Sequence, residues 1–224
     1  MTLAKKYFKG RLQAISGSAS RGNLAAREVK TIKLLYRLSL NKSMQEGEVF
    51  LDLGCGDKFL QGEVESLGVL YRGFDINDCN LINEPVPVED GCADYVVCYS
   101  LIEHLGDPDN LLREAFRILK PGGIFIIETP NWHYSRRSFF DDYTHCRPYT
   151  PASLRKLCSD YDFEVLGDFP NLRCKAGWFY KNRFRYAVAA YLPFTGGAPS
   201  FIPRVLTGRA RGVILFARKP VHLS

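Results

Sequence analysis

Three kinds of feature are missing from this 224-residue sequence, and each absence excludes a class of protein. No apolar run approaches the roughly 20 residues that a helix needs to cross a membrane. The basic start, MTLAKKYFKGRLQAIS, has no apolar stretch long enough for a secretion signal. The seven cysteines are odd in number and show no paired C-x-x-C spacing, which argues against a disulfide framework, a zinc site and a redox motif. We therefore expect a cytoplasmic chain with reduced thiols and no metal.

Acidic residues are also missing from the end of the chain. None follows Asp168, although ten lysines and arginines do, whereas residues 49–130 hold 15 acids against five bases. The net charge of +6 hides this asymmetry. A basic end without acids indicates an anionic partner.

The apolar content of 46% is enough for one domain with a full core. Strand-like segments alternate with helical ones, which predicts an α/β fold with a mainly parallel, doubly wound sheet. We expect a basic N-terminal segment with an amphipathic helix over 1–45, and a domain over 46–224 with a basic aromatic insertion at about 172–211. The predicted strands are 49–53, 70–74, 94–99, 124–129, 163–169 and 212–220, and the predicted helices are 23–40, 57–67 and one that begins at Pro108 and ends before Pro121.

The segment VFLDLGCG, residues 49–56, reads as a buried strand that ends in a turn with two glycines. In a doubly wound sheet, ligands bind where the first strand passes to its helix. Gly54 and Gly56 lie there, and glycine allows both a left-handed turn and the close approach of a ligand. Asp75 ends the second strand about twenty residues later, where a carboxylate can accept both hydroxyls of a ribose. These features together indicate an adenosine-containing cofactor.

Phosphate-binding signatures are absent. A G-x-G-x-x-G fingerprint would need a glycine where Phe59 stands, and no G-x-x-x-x-G-K-[ST] occurs, so a cofactor without phosphates fits better. Three segments in series are LDLGCG, FDI and VEDGCADYVVCYSLIEHLGDPDNLLREAFRILKPGGIFIIETPN. Over about residues 45–135 the chain resembles a class I S-adenosylmethionine-dependent methyltransferase of the type-11 kind.

This resemblance implies an enzyme with a Rossmann-like, seven-stranded, mainly parallel sheet whose last strand is antiparallel, and with S-adenosyl-L-methionine as cofactor. The G-x-G turn would line the methionine end of the cofactor, and Asp75 would hold its ribose. Tyr99 and Ser100 would lie near its sulfonium. The family commonly has an acidic residue that contacts the adenine amino group, and this chain has Leu81 in that place. The neighbouring Asn80 is therefore the candidate for the adenine contact. The implied cofactor-binding residues are Asp52, Gly54, Cys55, Gly56, Asp75, Ile76, Asn80, Tyr99 and Ser100.

A hydroxyl acceptor must also lose a proton, and histidine is the natural base. Glu103-His104 matches the E-H of the family, and His145 lies in a predicted loop with Asp142 and Arg147. We predict His145 and His104 as catalytic residues, and Asp142 and Arg147 as substrate-binding, with Arg147 meeting an anionic acceptor. In the alternative, His104 hydrogen-bonds a backbone group and the loop cluster only ties down a long connection.

About forty residues separate the last two predicted strands, and an insertion of this length in a compact domain is usually functional. Over 175–211 it combines aromatic residues with lysines and arginines and has no acid. This composition suits the surface of an anionic membrane, although a plain lid over the active site or an RNA-binding surface would also use it. We favour a membrane-proximal lid, then a plain lid, and disfavour nucleic acid because the acidic part of the chain would repel it.

The sequence therefore predicts a methyltransferase that O-methylates a sugar or a lipid-linked cell-surface glycan intermediate, as a peripheral protein at the inner face of the membrane. The pattern D-x-T-H-x-R-P-x-T at 142–150 resembles type-11 enzymes near bacterial cell-surface glycan pathways. One alternative is a small-molecule O- or C-methyltransferase of the quinone or polyketide type. Another is a non-catalytic scaffold that binds the cofactor.

Overall fold

The computed structural model describes residues 18–172, 184–185, 188, 192, 194–195, 207–209 and 211–221. The helices are α1 Ser18–Leu40, α2 Gln61–Glu65, α3 Asp109–Ile118, α4 Trp132–Ser135 and α5 Pro151–Asp160. The strands are β1 Val49–Leu53, β2 Leu70–Phe74, β3 Ala93–Tyr99, β4 Leu119–Pro130, β5 Glu164–Asn171, β6 Phe194–Thr195, β7 Thr207–Arg209 and β8 Gly212–Arg218. Short 3-10 helices span Ile102–His104 and Phe139–Asp141.

Six strands form one sheet in the order β2-β1-β3-β4-β8-β5. β1 pairs in parallel with β2 and β3, and β3 pairs in parallel with β4, which confirms the predicted parallel arrangement. β8 lies between β4 and β5 and is antiparallel to both, which confirms the predicted antiparallel pairing of the last two strands. β6 and β7 form a separate parallel pair.

The predicted count of seven strands is wrong for the described residues, which contribute six strands to the main sheet. Residues 75–92, between β2 and β3, form turns rather than a further strand. Pro85 and Pro87 lie in this stretch, and neither has a backbone N–H to donate to a neighbouring strand. The Asn110 side chain of α3 holds the turn by donating to the carbonyl oxygens of Leu81 at 3.1 Å and Glu84 at 2.8 Å.

Helices cover both faces of the main sheet. Leu51 and Phe125 belong to an apolar cluster that includes residues of α3 and α5, whereas Phe50 and Phe216 belong to a second cluster that includes residues of α1 and α2. Neighbouring residues of β1 thus enter opposite clusters, as the two-residue period of a strand requires. The carboxyl ends of the four parallel strands, β1 to β4, meet at one edge of the sheet, where the candidate site is built.

α1 is amphipathic as predicted, although it begins before the predicted residue 23. Val29, Ile32 and Leu35 are buried, while Lys30 and Lys33 are exposed. The buried face shares an apolar cluster with β1, β3 and β8. The division of the chain at residues 45 and 46 stays a prediction.

Most of the predicted basic aromatic insertion, at about 172–211, lies outside the described residues. Within it, the described Phe184 and Val188 are exposed and Leu192 is buried. Among the helices of the described part of the chain, none combines the length and the apolar character that a membrane span requires.

Candidate functional site

The turn after β1 is tied to the end of β2 through the backbone. Gly54 N–H and Cys55 N–H both donate to the Phe74 carbonyl oxygen, at 2.8 and 3.1 Å. Gly54 has a φ of +78°, and a Cβ placed on it would lie 2.7 Å from Cδ2 of Leu101. A residue with a side chain at position 54 would therefore have a strained backbone and would displace Leu101, which lies two residues after the end of β3.

The Asp75 carboxylate is positioned by the same turn. Its Oδ2 accepts from Gly56 N–H at 2.6 Å, and its Oδ1 accepts from Ile76 N–H at 2.6 Å. Gly56 also has a left-handed φ, of +53°. The residue predicted for the ribose is thus fixed against the glycine turn, with both oxygens at the carboxyl edge of the sheet.

Asp52 lies in β1 directly before the turn and is only 1% exposed. Its Oδ2 accepts from the Tyr71 hydroxyl at 2.7 Å, whereas Oδ1 is buried without a hydrogen-bond partner among the described residues. Burial raises the pKa of Asp52 to about 7, with the Tyr71 hydroxyl opposing the shift and the Asp75 charge adding to it. Cys55 is buried as well, and burial raises the pKa of its thiol to about 12, so it is an apolar filler rather than a nucleophile.

These features fit S-adenosylmethionine. Gly54 and Gly56 have no Cβ, which leaves room for a ligand at the turn. Asp52 beside the turn has an oxygen without a hydrogen-bond partner from the residues that the structure describes. The Asp75 carboxylate lies at the end of β2, where a ribose would bind. The residues that would hold the cofactor are those at 52–56 and Asp75. Ile76 follows Asp75 and is half-buried.

The predicted residues Tyr99 and Ser100 belong to a hydrogen-bonded network. The Tyr99 hydroxyl donates to Glu28 of α1 and accepts from Asn171 Nδ2 at 2.9 Å. The same nitrogen donates to Glu128 Oε1 at 2.8 Å, and Glu128 Oε2 accepts from the Ser100 hydroxyl at 2.7 Å. The network joins α1 to the ends of β3, β4 and β5 around two buried carboxylates.

Sequence reasoning missed three members of this network: Glu28, Glu128 and Asn171. Glu128 had a usable signal, because it is an acid at the end of the apolar strand IFII, as Asp52 is after VFL. Glu28 and Asn171 had none, since their partners come from distant parts of the chain.

The two predicted catalytic histidines meet at a buried carboxylate. The 3-10 turn after β3 carries Glu103, which is 0% exposed, and His104. Glu103 Oε1 lies 4.0 Å from His104 Nε2 and 4.0 Å from His145 Nε2. Glu103 Oε2 accepts from the Thr129 hydroxyl at the end of β4, at 3.0 Å. The backbone N–H groups of Cys146 and Arg147 donate to the Glu103 carbonyl oxygen, which fixes the loop with His145 against this turn.

The other ring nitrogens of both histidines are held by neighbours. His104 Nδ1 lies 2.8 Å from the Thr144 hydroxyl oxygen, and that hydroxyl donates to Asp142 Oδ1 at 2.7 Å, so Nδ1 of His104 is the donor. His145 Nδ1 donates to the Phe139 carbonyl oxygen at 2.6 Å. In the neutral form of either ring, Nε2 therefore carries the lone pair, and it lies 4.0 Å from Glu103 Oε1.

The remaining predicted residues divide between this cluster and other places. Asp142 joins the cluster, with Oδ2 at 3.8 Å from His145 Nε2. Arg147 is exposed and lines a separate cleft of about 800 Å³, together with Arg113 and Tyr161. The Asn80 side chain accepts from the N–H of Ile82 at 3.2 Å within its own turn. The contacts of Asp142 and Arg147 with substrate, and of Asn80 with adenine, stay predictions.

Known proteins share both the sequence and the fold of this chain. A family described as "Methyltransferase domain" matches residues 24–167. A protein of Mycolicibacterium smegmatis named "Probable S-adenosylmethionine-dependent methyltransferase" is 37% identical over 139 residues, and the chain spans 53% of that relative's length. A ubiquinone biosynthesis O-methyltransferase of Psychrobacter cryohalolentis is 26% identical, over 82% of this chain and 83% of the relative.

Two solved structures show the same fold. A SAM-dependent methyltransferase from Archaeoglobus fulgidus superposes with a TM-score of 0.57 at 20% identity, over 86% of this chain and 94% of the other. Phosphoethanolamine N-methyltransferase 2 from Haemonchus contortus, in complex with S-adenosyl-L-methionine, gives a TM-score of 0.51 at 16% identity, over 84% and 52% of the two chains. The family match covers more than half of the chain and includes the glycine turn, Asp75 and the Glu103-His104 pair. The chain therefore belongs to the methyltransferase-domain family and is a class I S-adenosylmethionine-dependent methyltransferase.

Proposed function

We propose that this enzyme methylates a hydroxyl oxygen of a small-molecule acceptor and that the acceptor binds at the Glu103–His104–His145 cluster. The observation that carries the proposal is the position of two histidine Nε2 atoms 4.0 Å from one buried carboxylate. The carboxylate and His104 follow Leu101, whose side chain leaves no room for a Cβ at Gly54. A proton-accepting group beside the cofactor turn suits an acceptor that must lose a proton on methylation, as a hydroxyl does.

In this proposal the residues of the chain bind the cofactor, orient the acceptor and remove the proton from its hydroxyl group. S-adenosylmethionine, when bound, supplies a methyl group on a positively charged sulfur. The glycine turn and Asp75 hold that cofactor at the carboxyl edge of the sheet. His145 Nε2 takes the hydroxyl proton, and the Glu103 carboxylate at 4.0 Å stabilises the resulting imidazolium. The His104 and His145 side chains are only 11% and 10% exposed, so little water competes for their ring nitrogens.

Two acceptor classes have support. The loop pattern at 142–150 favours a sugar hydroxyl, free or on a lipid-linked glycan, and the exposed Phe184 in the basic segment is compatible with an acceptor held at a membrane. The second candidate is a phenol of the quinone type, because relatives of this chain are named ubiquinone biosynthesis O-methyltransferases. Both classes present a hydroxyl to the same histidine pair.

The test is transfer of labelled methyl from S-adenosylmethionine to a panel of a nucleotide sugar, a lipid-linked sugar in detergent and a soluble catechol. The variant His145→Gln should lower the rate with the accepted substrate by roughly 10²- to 10⁴-fold while cofactor binding is retained. His133→Gln is the matched control, since His133 is exposed and lies outside the cluster. Equal rates for wild type and His145→Gln would refute the role of the cluster, and product methylated on carbon would refute O-methylation.

A further inference from the structure

We propose that Glu103, His104 and His145 form a binding site for a divalent transition-metal cation such as Zn²⁺. One ligand atom from each of the three residues lies within 4.8 Å of the other two. The residues come from two separate parts of the chain, the 3-10 turn after β3 and the loop after Phe139–Asp141. Cysteine spacing, on which the expectation of no metal depends, does not detect histidine and glutamate ligands that lie about 40 residues apart in the sequence.

The groups around the two histidines are those of a metal site. Histidines that bind a metal nearly always donate their other ring N–H to a carbonyl, a carboxylate or a hydrogen-bonded relay. His145 Nδ1 donates to the Phe139 carbonyl oxygen, and His104 Nδ1 donates to Thr144, which passes the hydrogen bond on to Asp142. In the neutral rings these hydrogen bonds leave the Nε2 lone pair, 4.0 Å from Glu103 Oε1, for a cation.

The distances allow one ion to contact all three residues after a small contraction. Bonds of about 2.1 Å in tetrahedral geometry separate two ligand atoms by about 3.4 Å. Glu103 Oε1 lies 4.0 Å from each Nε2 atom, so these two pairs must close by about 0.6 Å, and the two histidine nitrogens, which lie within 4.8 Å of each other, must close by up to about 1.4 Å. Rotation of the terminal carboxylate torsion and of the imidazole rings covers such a shift, because these torsions are broad.

Burial and ligand chemistry point to the kind of cation. Glu103 is fully buried, and a divalent charge beside it would stabilise its ionised form. Two imidazoles and one carboxylate suit Zn²⁺, Fe²⁺, Co²⁺ or Mn²⁺ better than Mg²⁺ or Ca²⁺, which prefer sites made of oxygen alone. Asp142 Oδ2, at 3.8 Å from His145 Nε2, can supply a fourth ligand directly or through water.

A cation at this site would take part in the proposed O-methylation, and its role in catalysis rests on that proposed function. An acceptor hydroxyl bound to the ion would lose its proton more readily, and two vicinal oxygens of a sugar or a catechol could chelate it. His104 and His145 would then act as ligands in place of the base role given to His145 above, and the proton would leave to water.

Metal binding is tested without any acceptor. The full chain is treated with EDTA, dialysed and titrated with Zn²⁺ alone by calorimetry, and then with Co²⁺ followed by visible absorption. We expect one ion per chain with micromolar or tighter affinity, and Co²⁺ bands typical of nitrogen and oxygen ligands. Glu103→Gln and His145→Gln should each weaken binding at least tenfold, whereas His133→Gln should bind as the wild type does.

Retained S-adenosylmethionine binding shows that each variant is folded. A further variant, Thr144→Val, removes the acceptor of His104 Nδ1–H and should weaken Zn²⁺ binding by about 10- to 100-fold. Zn²⁺ affinity that is equal in the wild type and in His145→Gln overturns the site, as does wild-type protein that binds no Zn²⁺ or Co²⁺. Methyl transfer that persists in EDTA leaves the proposed function standing without the ion. Metal binding without O-methylation of any acceptor in the panel leaves the site standing without the proposed function.

Discussion

Gly54 is the residue at which the cofactor turn has the least room. Its φ of +78° is unfavourable for any other residue, and a Cβ would lie 2.7 Å from Leu101. We expect Gly54→Val to weaken S-adenosylmethionine binding at least tenfold by calorimetry. Gly62→Ala in α2 is the control, since no atom outside its own helix turn lies within 4 Å of a Cβ there. Unchanged affinity in Gly54→Val would show that the turn does not hold the cofactor.

Asp52 couples folding to pH. Its pKa is about 7 in the folded chain and near the usual 3.8 in the unfolded chain. Between these values the folded state keeps a proton that the unfolded state has released, so this contribution to stability is present below about pH 4 and is lost as the pH rises to about 7. Three pKa units correspond to about 4 kcal/mol.

Asp52→Asn removes the titration and keeps an oxygen that can accept from Tyr71. We therefore expect the wild type to lose up to about 4 kcal/mol more of its free energy of unfolding than Asp52→Asn between pH 4 and pH 7. Urea unfolding at several pH values, without cofactor, measures the difference. Parallel pH profiles for the two proteins would mean that Asp52 is ionised in the folded state at pH 5.

At the scale of elements, α1 is joined to the candidate site, because it packs on the sheet and its Glu28 accepts a hydrogen bond from the Tyr99 hydroxyl. Leu35 is 0% exposed, so Leu35→Ala should lower the free energy of unfolding by about 2–5 kcal/mol. Lys33→Ala on the exposed face should change it by less than about 0.5 kcal/mol. Urea unfolding decides the matter, and a loss below 1 kcal/mol for Leu35→Ala would show that α1 is not docked.

The elements with a strong periodic or apolar pattern could be predicted from the sequence. β1, β2 and β3 have nearly the predicted bounds, and the helix after Pro108 is α3. The turns at 75–92 were not predicted, because the expectation of a seventh strand came from resemblance and not from these residues.

The candidate site was predictable only where its signal is local. Gly54, Gly56 and Asp75 could be placed because strand ends determine their positions. The meeting of His145 with His104 at Glu103 could not, because it depends on the backbone N–H groups of Cys146 and Arg147 reaching the Glu103 carbonyl oxygen. Contacts of this kind exist only once distant parts of the chain have packed.

At the scale of the whole molecule, acidic and basic residues are concentrated in different parts of the chain. The acidic middle forms the cofactor half of the sheet, while ten lysines and arginines follow Asp168 without an acid. Our proposal that the basic aromatic segment contacts an anionic membrane can be tested because β5 and β8 pair directly at Asn171 and Gly212. A short turn can therefore replace the segment without separating the two strands.

Replacement of residues 175–211 by such a turn should abolish sedimentation with vesicles that contain anionic lipid, while cofactor binding is retained. Neutral vesicles are the control, and they should bind neither form of the protein, because the attraction is electrostatic. Persistent binding to anionic vesicles after the replacement would show that the membrane contact lies in α1 or in the basic residues before it.

The position of β8 has a consequence for how the protein is made. β8 is the last described strand along the chain, yet it stands between β4 and β5 and supplies the partner that each requires. A ribosome that has finished β4 must add about 80 further residues before β8 exists, which takes several seconds at roughly 5–20 residues per second. During that time the apolar edge of β4 has no strand to pair with, and β5 has no place in the sheet. Completion of the sheet is therefore a late event in translation, and the nascent chain is most exposed to misassembly just before residues 212–218 emerge.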